Sequence, residues 1–423
     1  MKRVAILFSG QGSQYVGMGK RIYDNYSIVK DCFTQASDIL GTDMARLCFE
    51  SDKHELNSTE NTQPALLLTS VAAYQLLQSQ TDIRPDYMAG HSLGELSALV
   101  CSGVLTFEDG LKLARARGLA MANCGNDQVT GMYAITKLNK EQVISVCNQS
   151  AEFGKKFIIA NYNAPEQHIL SGDIGTIAEL TDNVKELGGA LIKLNVSGAF
   201  HSPYMQQAAD DFKQVLSDIQ LSEMNVPVIA NIKAAPYFDL NEIKDSLVQQ
   251  IISPVRWSES VNYLLNHGMT AFIEAGPKDV LKKINQTIAP ELSAYALDSE
   301  EDSEKLTQEL ADEIAAWKNK PDLIGKLMAT AVSTRNKNWD ETEYNNGVVA
   351  SYQQMKEIYE QTTEQNKVPS DAQIQQAFEL LVKIMDTKQV DKQEQYQRVH
   401  QVIRSAGFEQ SVEQILPQLA NAK

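Results

Sequence analysis

The sequence predicts an α/β fold in which a parallel-sheet domain holds an inserted ferredoxin-like subdomain and is followed by an all-helical extension. Continuous apolar runs, Val4 to Phe8 and Tyr87 to Ala89, are typical of parallel strands buried on both faces. Residues 131–194 alternate as strand, helix, strand, strand, helix, strand, the split pattern of a ferredoxin-like unit. Helical patterns dominate beyond about residue 300. We therefore predict an α/β core over 1–128 and 197–290, the subdomain over 129–196, a linker over 291–304 and the helical extension over 305–423.

The composition argues against several classes of function. Hydrophobic residues make up 43% and charged residues 22% of the 423 positions, as in an ordinary globular protein. The 38 Lys and Arg against 54 Asp and Glu leave a net charge of −16, which disfavours binding to nucleic acid or to an anionic membrane. The five cysteines are widely spaced without a C-x-x-C pair, which predicts reduced thiols and no metal site. No apolar run is long enough for a secretory leader or a membrane span, so we expect a soluble cytoplasmic protein.

The stretch Tyr87–Leu99, YMAGHSLGELSAL, is the point around which the core is predicted to be organised. A short apolar strand leads into Gly90-His91-Ser92-Leu93-Gly94, and a helix-forming segment follows. Strand, G-x-S-x-G, helix is the context of the nucleophile elbow of hydrolase-like α/β domains, a turn so sharp that its flanking positions tolerate only glycine. Ser92 is therefore the candidate nucleophile, with a glycine-rich turn without chemistry as the alternative.

A second candidate group follows the first strand, in the loop Ser9–Gln14. The loop has neither G-x-G-x-x-G nor G-x-x-x-x-G-K-[ST], so nucleotide binding is disfavoured. Gln11 is the polar group that it offers beside exposed backbone N–H groups, with a solvated loop glutamine as the alternative. Later in the chain, a predicted helix carries Arg115 and Arg117 about 200° apart around its axis, so we expect one at the site and the other at the surface.

His201 is the candidate base. It is one of six histidines and lies between a glycine-bearing exit from a strand and a Pro-led helix, where a base could reach a serine across a cleft. A structural histidine is the commoner case and stays open as the alternative. The helix that begins near Leu247 stops before Pro254, which leaves C-terminal carbonyls, including that of Gln250, free to orient a neighbouring side chain.

Seven short stretches carry a family resemblance. They are GQGSQ (Gly10–Gln14), GHSLGE (Gly90–Glu95), the arginine of ARARG (Arg117), ANYNAP (Ala160–Pro165), GAFHS (Gly198–Ser202), SPVRW (Ser253–Trp257) and EAGP (Glu274–Pro277). In this order, over the core and subdomain, they resemble the malonyl-CoA:acyl carrier protein transacylases, a family that includes the acyltransferases of polyketide synthases.

The resemblance implies an acyl transfer with a defined set of roles. Ser92 would attack the thioester, and His201 would take its proton and later activate the incoming thiol. The backbone carbonyl of Gln250 is implied to hold the His201 ring, in place of an aspartate. The backbone N–H groups of Gln11 and Leu93 are implied to form the oxyanion hole.

The resemblance also implies how the donor is selected. Arg117 is expected to pair bidentately with the free carboxylate of the malonyl group, a geometry that lysine cannot reproduce. Phe200 is expected to limit the room at the malonyl α-carbon, which favours malonyl over methylmalonyl.

Four further residues are expected around the pocket. Asn161 and Asn163 would support the pocket and the pantetheine arm, with turn-forming asparagines as the alternative. His91 is grouped with them among the substrate-binding residues, although bracing of the elbow is the main role expected of both His91 and Glu95.

The implied reaction uses malonyl-CoA as the donor and the phosphopantetheine thiol of a holo acyl carrier protein as the acceptor, without a cofactor or a metal ion. Whether that carrier belongs to polyketide or to fatty-acid synthesis stays open. In the helical extension, Thr334–Trp339 resembles extensions of free-standing acyltransferases that serve polyketide synthases in trans. This suggests docking to a carrier protein or to polyketide synthase modules, against a stabilising or dimerising appendage.

Three other functions remain as alternatives. An editing acyl hydrolase or thioesterase would keep Ser92 and His201 but would let water resolve the acyl-enzyme, and it would not need Arg117, because an uncharged acyl chain needs no buried cation. A patatin-like lipase is disfavoured, because no D-G-[GA] supplies the acid of its dyad. A non-catalytic binding protein would require the extension to carry the function.

Overall fold

The computed structural model describes residues 2–81, 83–124, 129–318, 322–364, 369–406, 412–417 and 419, so the predicted boundary at residue 128 lies outside the described residues. The chain divides into two units, Lys2–Leu306 and Thr307–Lys423. The strands of the first unit are β1 (Val4–Phe8), β2 (Tyr87–Gly90), β3 (Thr130–Thr136), β4 (Phe157–Ala164), β5 (Gln167–Asp173), β6 (Ala190–Lys193), β7 (Val228–Ala230), β8 (Ala235–Pro236), β9 (Ala271–Ala275) and β10 (Ser293–Ala296). Its helices are α1 (Lys20–Asn25), α2 (Ser27–Leu40), α3 (Met44–Phe49), α4 (Lys53–Asn57), α5 (Thr59–Gln80), α6 (Gly94–Cys101), α7 (Phe107–Cys124), α8 (Lys140–Asn148), α9 (Ile174–Ala178), α10 (Thr181–Glu186), α11 (Gln206–Ser217), α12 (Asn241–Ile252), α13 (Trp257–Asn266), α14 (Val280–Ile288) and α15 (Glu300–Lys318), which crosses the division.

The main sheet of the first unit has the strand order β10-β9-β1-β2-β7-β8. The strands from β10 to β7 in this order pair in parallel with their neighbours, and the short β8 pairs antiparallel with β7. The five residues of β1 are buried, as its continuous apolar run predicts. Phe8 lies beside Gly90 in the register of β1 and β2. The segments that lead to Gln11 and to Ser92 therefore leave the sheet side by side, at the carboxyl ends of β1 and β2.

The inserted subdomain forms a second sheet with the order β4-β5-β3-β6 and antiparallel neighbours. Helix α8 follows β3, and α9 and α10 precede β6, so the chain runs as the predicted β-α-β-β-α-β with its second helix divided in two. Its buried apolar core includes Ile135, Val143, Leu170 and Val184. The subdomain joins the core through the Tyr162 N–H, which donates to the carbonyl of Val255 at 3.0 Å.

The structure differs from the predicted linker over 291–304. Residues Ser293–Ala296 form β10, which pairs in parallel with β9 at the edge of the main sheet, and α15 begins at Glu300. The carboxylate of Asp302 accepts a hydrogen bond from the Ala296 N–H at 2.8 Å, which ties the start of α15 to the strand. The strand escaped the sequence analysis because Ser-Ala-Tyr-Ala is short and contains no β-branched residue.

The second unit is helical where it is described. Its helices are α16 (Asp322–Ser333), α17 (Glu341–Tyr344), α18 (Ala350–Glu364), α19 (Asp371–Thr387), α20 (Lys392–Ala406) and α21 (Val412–Ile415), with a π-helical turn over Asn345–Val349. The unit has its own apolar core, which includes Ile324, Leu327, Phe378, Leu381 and Met385. Across the described parts of both units, no helix is long and apolar enough to cross a membrane.

Candidate active site

The elbow holds Ser92 between β2 and α6 on an unusual backbone. Ser92 has a φ of 53°, in the left-handed region, which costs a non-glycine residue about 1 kcal/mol. A Cβ added at Gly90 would lie 1.9 Å from the carbonyl carbon of Gly94, and one added at Gly94 would lie 2.1 Å from the carbonyl oxygen of Phe8. Glycine is therefore required on both sides of Ser92, as expected of the tight turn between the strand and the helix.

His201 reaches Ser92 from the segment that returns from the subdomain. Its Nε2 lies 2.7 Å from Ser92 Oγ, and its Nδ1 lies 2.7 Å from the backbone carbonyl of Gln250. Because a carbonyl can only accept, Nδ1 carries the proton and Nε2 is the acceptor for the serine hydroxyl. His201 also has a positive φ, of 58°. The structure thus brings together the three groups that the sequence proposed as nucleophile, base and ring-orienting carbonyl.

The surroundings of His201 keep its imidazole neutral. Burial, followed by the positive charge of Arg117, lowers the pKa of His201 to about 3. His201 is 4% exposed, so water gives its protonated form little support. At neutral pH the free protein therefore presents an unprotonated Nε2 to Ser92.

Arg117, on α7, also contacts Ser92 and Gln250, and it is 2% exposed. Its Nη2 donates to Ser92 Oγ at 3.0 Å and to Gln250 Oε1 at 2.9 Å, and its Nη1 donates to Gln63 Oε1 at 2.9 Å. Burial lowers the pKa of Arg117 to about 10, which leaves it charged at neutral pH. Within the described parts of the chain, no carboxylate forms a hydrogen bond or an ion pair with this guanidinium. Arg115 is half-buried and donates instead to a side chain on α5.

A buried network holds the elbow from behind. Glu95 Oε2 accepts from Gln250 Nε2 at 2.8 Å and from the Asn231 N–H at 2.9 Å. The Asn231 side chain accepts from the Ser92 N–H at 2.7 Å and donates to the last carbonyl of β2 at 2.7 Å. The Tyr237 hydroxyl donates to the other oxygen of Glu95. Bracing by Glu95 was expected, but the sequence analysis missed Asn231 and Tyr237.

Two of the missed residues, Asn231 and Gln63, had left a signal in the sequence. Asn231 follows β7 directly, at the carboxyl edge of the sheet where the ligands of α/β folds gather. Gln63 was also missed, although it is a fully buried amide in a strongly apolar helix, next to Pro64. Tyr237 left no signal, because its contact with Glu95 depends on how the chain returns after β8.

Gln11 and Leu93 lie on the segments that leave β1 and β2. Leu93 follows Ser92 at the start of α6. The Gln11 segment packs so closely on the elbow that a Cβ added at Gly10 would lie 2.3 Å from the His91 carbonyl oxygen. Of the residues that the structure describes, none accepts a hydrogen bond from the backbone N–H of Gln11 or of Leu93. Two unused donors are therefore present on the two segments that meet at the elbow.

The remaining candidate residues surround this centre. His91 Nε2 lies 2.9 Å from Asn163 Oδ1, which links the elbow to the subdomain. Asn161 is buried on β4, next to the hydrogen bond that joins the subdomain to the core. Phe200 precedes the histidine and is buried, and its carbonyl accepts from Ser171 Oγ at 2.6 Å.

An open cleft of about 490 Å³ lies between the subdomain and the core. It is lined by Lys140, Tyr162, Ile232, Gln249, Ser253, Pro254, Arg256 and Glu259. Gln249 and Ser253 flank Gln250 in the sequence, but Ser92, His201 and Arg117 are not among the lining residues. Among the residues described, no group of three or more His, Cys, Asp or Glu side chains could hold a metal ion.

Residues 6–297 match the family model of the acyl transferase domain, the class of protein that the elbow and its histidine define. A malonyl CoA-acyl carrier protein transacylase of Bacillus subtilis is 35% identical over 397 residues, which cover 93% of this chain and 99% of that relative. The chain thus belongs to the malonyl CoA-acyl carrier protein transacylase family of acyl transferases, and the resemblance found in the sequence is confirmed.

Solved structures agree with this assignment. The malonyl CoA-acyl carrier protein transacylase of Coxiella burnetii superimposes with a TM-score of 0.71 at 33% identity, over 73% of this chain and 98% of that one. A malonyl-transacylase solved in complex with a type II polyketide synthase acyl-carrier protein has a TM-score of 0.68 at 34% identity, over 71% of this chain and 97% of that one. The predicted α/β fold class is confirmed by these structures.

Proposed function

We propose that this protein transfers a malonyl group from malonyl-CoA, through an ester on Ser92, to the phosphopantetheine thiol of a holo acyl carrier protein. The names of the relatives support both the donor and the acceptor, and a solved relative carries a carrier protein.

In the first half-reaction, Ser92 Oγ attacks the thioester carbonyl carbon while its proton passes to His201 Nε2. The carbonyl of Gln250 accepts from Nδ1 throughout and so stabilises the imidazolium. The oxygen that becomes negative accepts from the N–H groups of Gln11 and Leu93. When the C–S bond breaks, the imidazolium returns the proton to the leaving sulfur, and coenzyme A departs as the thiol.

The second half-reaction runs the same steps with a new thiol. The phosphopantetheine thiol of the carrier gives its proton to His201 Nε2 and attacks the ester carbonyl of malonyl-Ser92. The N–H groups of Gln11 and Leu93 again face the oxyanion. The C–O bond then breaks, the serine oxygen regains the proton, and the malonyl group leaves as a thioester of the carrier.

The buried charge of Arg117 is the observation that carries the malonyl assignment. The guanidinium is 2% exposed, and among the described residues its hydrogen bonds go to uncharged groups of Ser92, Gln250 and Gln63. The Glu95 carboxylate acts on it through its charge without a hydrogen bond. A buried cation without a hydrogen-bonded anionic partner is costly, and a substrate carboxylate supplies that partner in bidentate geometry. We infer that the malonyl carboxylate replaces Ser92 Oγ as the partner of Nη2 and thereby releases the hydroxyl for attack.

Intact-mass measurement of the acyl-enzyme tests this assignment. Wild type is incubated with malonyl-CoA, methylmalonyl-CoA or acetyl-CoA, beside Arg117→Ala and the matched control Arg115→Ala. We expect Arg117→Ala to lose malonyl loading by about 100-fold or more and to keep acetyl loading, because the loss is that of one charged pair. Arg115→Ala should keep malonyl loading. Equal loss of both acyl groups in Arg117→Ala would contradict the role.

The same measurement addresses Phe200. We propose that its buried side chain, next to His201, restricts the space at the α-carbon of the acyl group. One extra methyl group in a closed pocket costs about tenfold or more in rate. Wild type should therefore load malonyl at least about tenfold faster than methylmalonyl, and equal rates would remove Phe200 from the specificity determinants.

The editing hydrolase is separated from the transferase by a chase. Malonyl-enzyme freed of malonyl-CoA is held in buffer, or mixed with a holo carrier protein. The proposed transfer predicts an ester that is stable in buffer and lost to the carrier. Fast loss in buffer alone would favour the hydrolase.

We propose that the pantetheine arm reaches Ser92 from the side of the subdomain, past Asn161 and Asn163. His91 ties Asn163 to the elbow, and Asn161 is buried on β4 beside the hydrogen bond from the Tyr162 N–H to the Val255 carbonyl. Asn163→Ala should raise the KM for malonyl-CoA more than it lowers kcat, and an unchanged KM would contradict this path.

We further propose that the second unit docks the carrier protein. Trp339 is 89% exposed, and the exposed Arg335 and Lys337 stand on the same loop in a chain of net charge −16. The loop is fixed by the buried Asn338, whose Nδ2 donates to the Thr387 carbonyl at 3.0 Å. An exposed aromatic side chain beside positive charge is typical of a protein-binding surface. Transfer to a holo carrier, compared with transfer to a free pantetheine thiol, tests the proposal.

We propose that the reaction needs no cofactor or metal ion and takes place in the cytoplasm. The nucleophile, the proton acceptor and the donors for the oxyanion all come from the chain, and the five cysteines are free thiols, as in a reducing compartment. Activity should survive dialysis against a chelator, and a loss restored by one added metal would contradict the first statement.

A further inference from the structure

We propose that Asp298 is a positioning residue for the reaction, because it clamps the loop that carries the Gln11 N–H. We call residues 9–15, between β1 and the approach to α1, the Gln11 loop. The inference rests on the proposed function, in which the Gln11 N–H stabilises the oxyanion.

One side of the Gln11 loop is tied to α4 and α5. Gln14 Nε2 donates to Asn57 Oδ1 at 2.8 Å, while Gln14 Oε1 accepts from the Gly12 N–H at 2.7 Å. The Gln11 side chain makes a longer contact, from Nε2 to Thr59 Oγ1 at 3.4 Å. These contacts hold the loop laterally.

The other side of the loop is held from the far end of the first unit. A single oxygen of Asp298, Oδ2, accepts from the Tyr15 hydroxyl at 2.9 Å and from the Lys278 N–H at 2.7 Å. Lys278 Nζ in turn donates to the carbonyls of Gln14 at 3.1 Å and of Gly12 at 3.4 Å. Asp298 therefore fixes the loop directly through Tyr15 and indirectly through Lys278.

The clamp has two features that a chance surface contact would lack. Lys278 has a φ of 61°, a conformation that lysine seldom adopts, and its own N–H is the group that Asp298 holds. Asp298 is itself fixed, because it follows Leu297, whose N–H donates to the Glu274 carbonyl at 2.9 Å. Burial and the Asp298 carboxylate raise the pKa of Tyr15, so its hydroxyl keeps the proton that it donates.

The position of the clamp predicts which kinetic constant it controls. Oxyanion stabilisation requires donors about 2.7–3.1 Å from the developing charge, so a small shift of the Gln11 loop weakens the transition state. Arg117, which would hold the malonyl carboxylate, lies on α7, and its hydrogen bonds to described residues go to Gln63, Ser92 and Gln250 rather than to the clamp. Loss of the clamp should therefore lower kcat and leave KM nearly unchanged.

The test measures the single-turnover rate of malonyl-Ser92 formation against malonyl-CoA concentration in the full chain. Asp298→Ala should lower the maximal rate about tenfold and leave the half-saturating concentration within about twofold. Asp298→Asn should restore most of the rate, because an amide oxygen still accepts from Tyr15 and Lys278. Asp24→Ala, which removes a surface carboxylate paired with Lys20, is the matched control and should behave as wild type.

Each other outcome has a defined meaning. An unchanged maximal rate in Asp298→Ala, a defect in half-saturation alone, or an Asp298→Asn variant as slow as Asp298→Ala would overturn the clamp. If Asp298→Ala does not fold, Tyr15→Phe decides, because it keeps the Lys278 contact: a lower maximal rate at unchanged half-saturation supports the clamp, and a wild-type rate rejects it. Failure of wild type to load malonyl would reject the proposed function instead.

Discussion

At the scale of single residues, Gln250 connects the chemical groups of the site. Its carbonyl accepts from His201, its Oε1 accepts from Arg117, and its Nε2 donates to the Ser92 carbonyl at 3.0 Å. Glu95 fixes the orientation of the Gln250 side-chain amide. A carboxylate can only accept hydrogen bonds, so it must face Nε2 and not Oε1 of Gln250. Ser92, His201 and the buried Arg117 therefore all bond to Gln250, and a backbone carbonyl occupies the place behind the histidine that an aspartate holds in other triads.

The lowered pKa of His201 predicts an unusual pH profile for malonyl loading. With a pKa of about 3 in the free protein, the imidazole stays neutral, so kcat/KM should not decline between pH 8 and pH 5 through protonation of His201. The positive charge of Arg117 is the second cause of the lowered pKa of His201, and a substrate carboxylate bound to Arg117 offsets that charge. The pKa of His201 should therefore be higher in the substrate complex, so the acid limb of kcat should lie at higher pH than that of kcat/KM. Single-turnover rates from pH 8 down to about pH 3 measure both acid limbs.

Arg117→Ala gives the control for that profile. Without the guanidinium, the second-largest cause of the lowered pKa of His201 is lost while burial and His91 still lower it. The acid limb for acetyl loading should therefore lie at higher pH in the variant than in wild type. An acid limb of kcat/KM near pH 6.5 in wild type, the value of an ordinary exposed histidine, would contradict the buried environment.

The same shift acts on stability with a defined sign. Between about pH 6.5 and pH 3 the unfolded chain binds a proton at His201 that the folded chain does not, so this group makes stability fall as the pH falls through that window. At pH 5 the loss from this group amounts to about 2 kcal/mol, from 1.36 kcal/mol for each pH unit below 6.5. Urea unfolding at pH 7 and pH 5 should show a smaller decrease for His201→Gln than for wild type.

At the scale of elements, the approach of β1 to the elbow leaves no space for a side chain at Gly94. Gly94→Ala places a Cβ 2.1 Å from the Phe8 carbonyl oxygen, and neither backbone can move without breaking the main sheet. We expect a loss of about 3 kcal/mol or more in the free energy of unfolding, measured by urea denaturation. Gly175→Ala on α9 is the control, because its Cβ would meet Asp173 Oδ1 at an ordinary 3.4 Å. Similar stability of the two variants would contradict the tight fit.

Elements with strong local signals were predictable, and those that depend on pairing were not. The apolar run of β1, the glycines around Ser92 and the alternation over β3–β6 all appear in the residues themselves. In contrast, β10 forms because it pairs in parallel with β9, and the residues Ser293–Ala296 carry no local signal that predicts this pairing. The same holds for the site: Ser92 and His201 could be proposed from motifs, whereas Asn231 and Tyr237 contact Glu95 only after the chain has folded back.

At the scale of the whole molecule, the chain has more than its acyl transferase domain. The family model ends at residue 297, while the alignment with the relative from Bacillus subtilis covers 93% of the chain and thus extends into the second unit. The second unit has a separate apolar core around Phe378 and Leu381. Its presence in a relative with the same catalytic assignment favours a role beyond the chemical step.

Trp339→Ala tests that role without removing the unit. Its side chain is exposed and contributes little to the core, so stability should stay within about 0.5 kcal/mol of wild type. We expect an increase of about tenfold in the KM for the holo carrier protein, as for loss of an aromatic anchor in an interface. Malonyl-Ser92 formation and transfer to free pantetheine should be unchanged. Val332→Ala, another exposed apolar side chain, is the comparison, and an unchanged KM in Trp339→Ala would contradict docking at this loop.

The strand β10 has a practical consequence for moving this catalytic unit into another protein. A catalytic domain that ends at residue 290 would lack β10, so β9 would become an edge strand with unpaired N–H and C=O groups. Such an edge is a template for pairing with other copies of the chain. The same cut would also discard Asp302, which ties the following helix to the strand. A transplant that carries the chain through the end of α15 at Lys318 keeps both, so the junction for a domain exchange belongs after that helix.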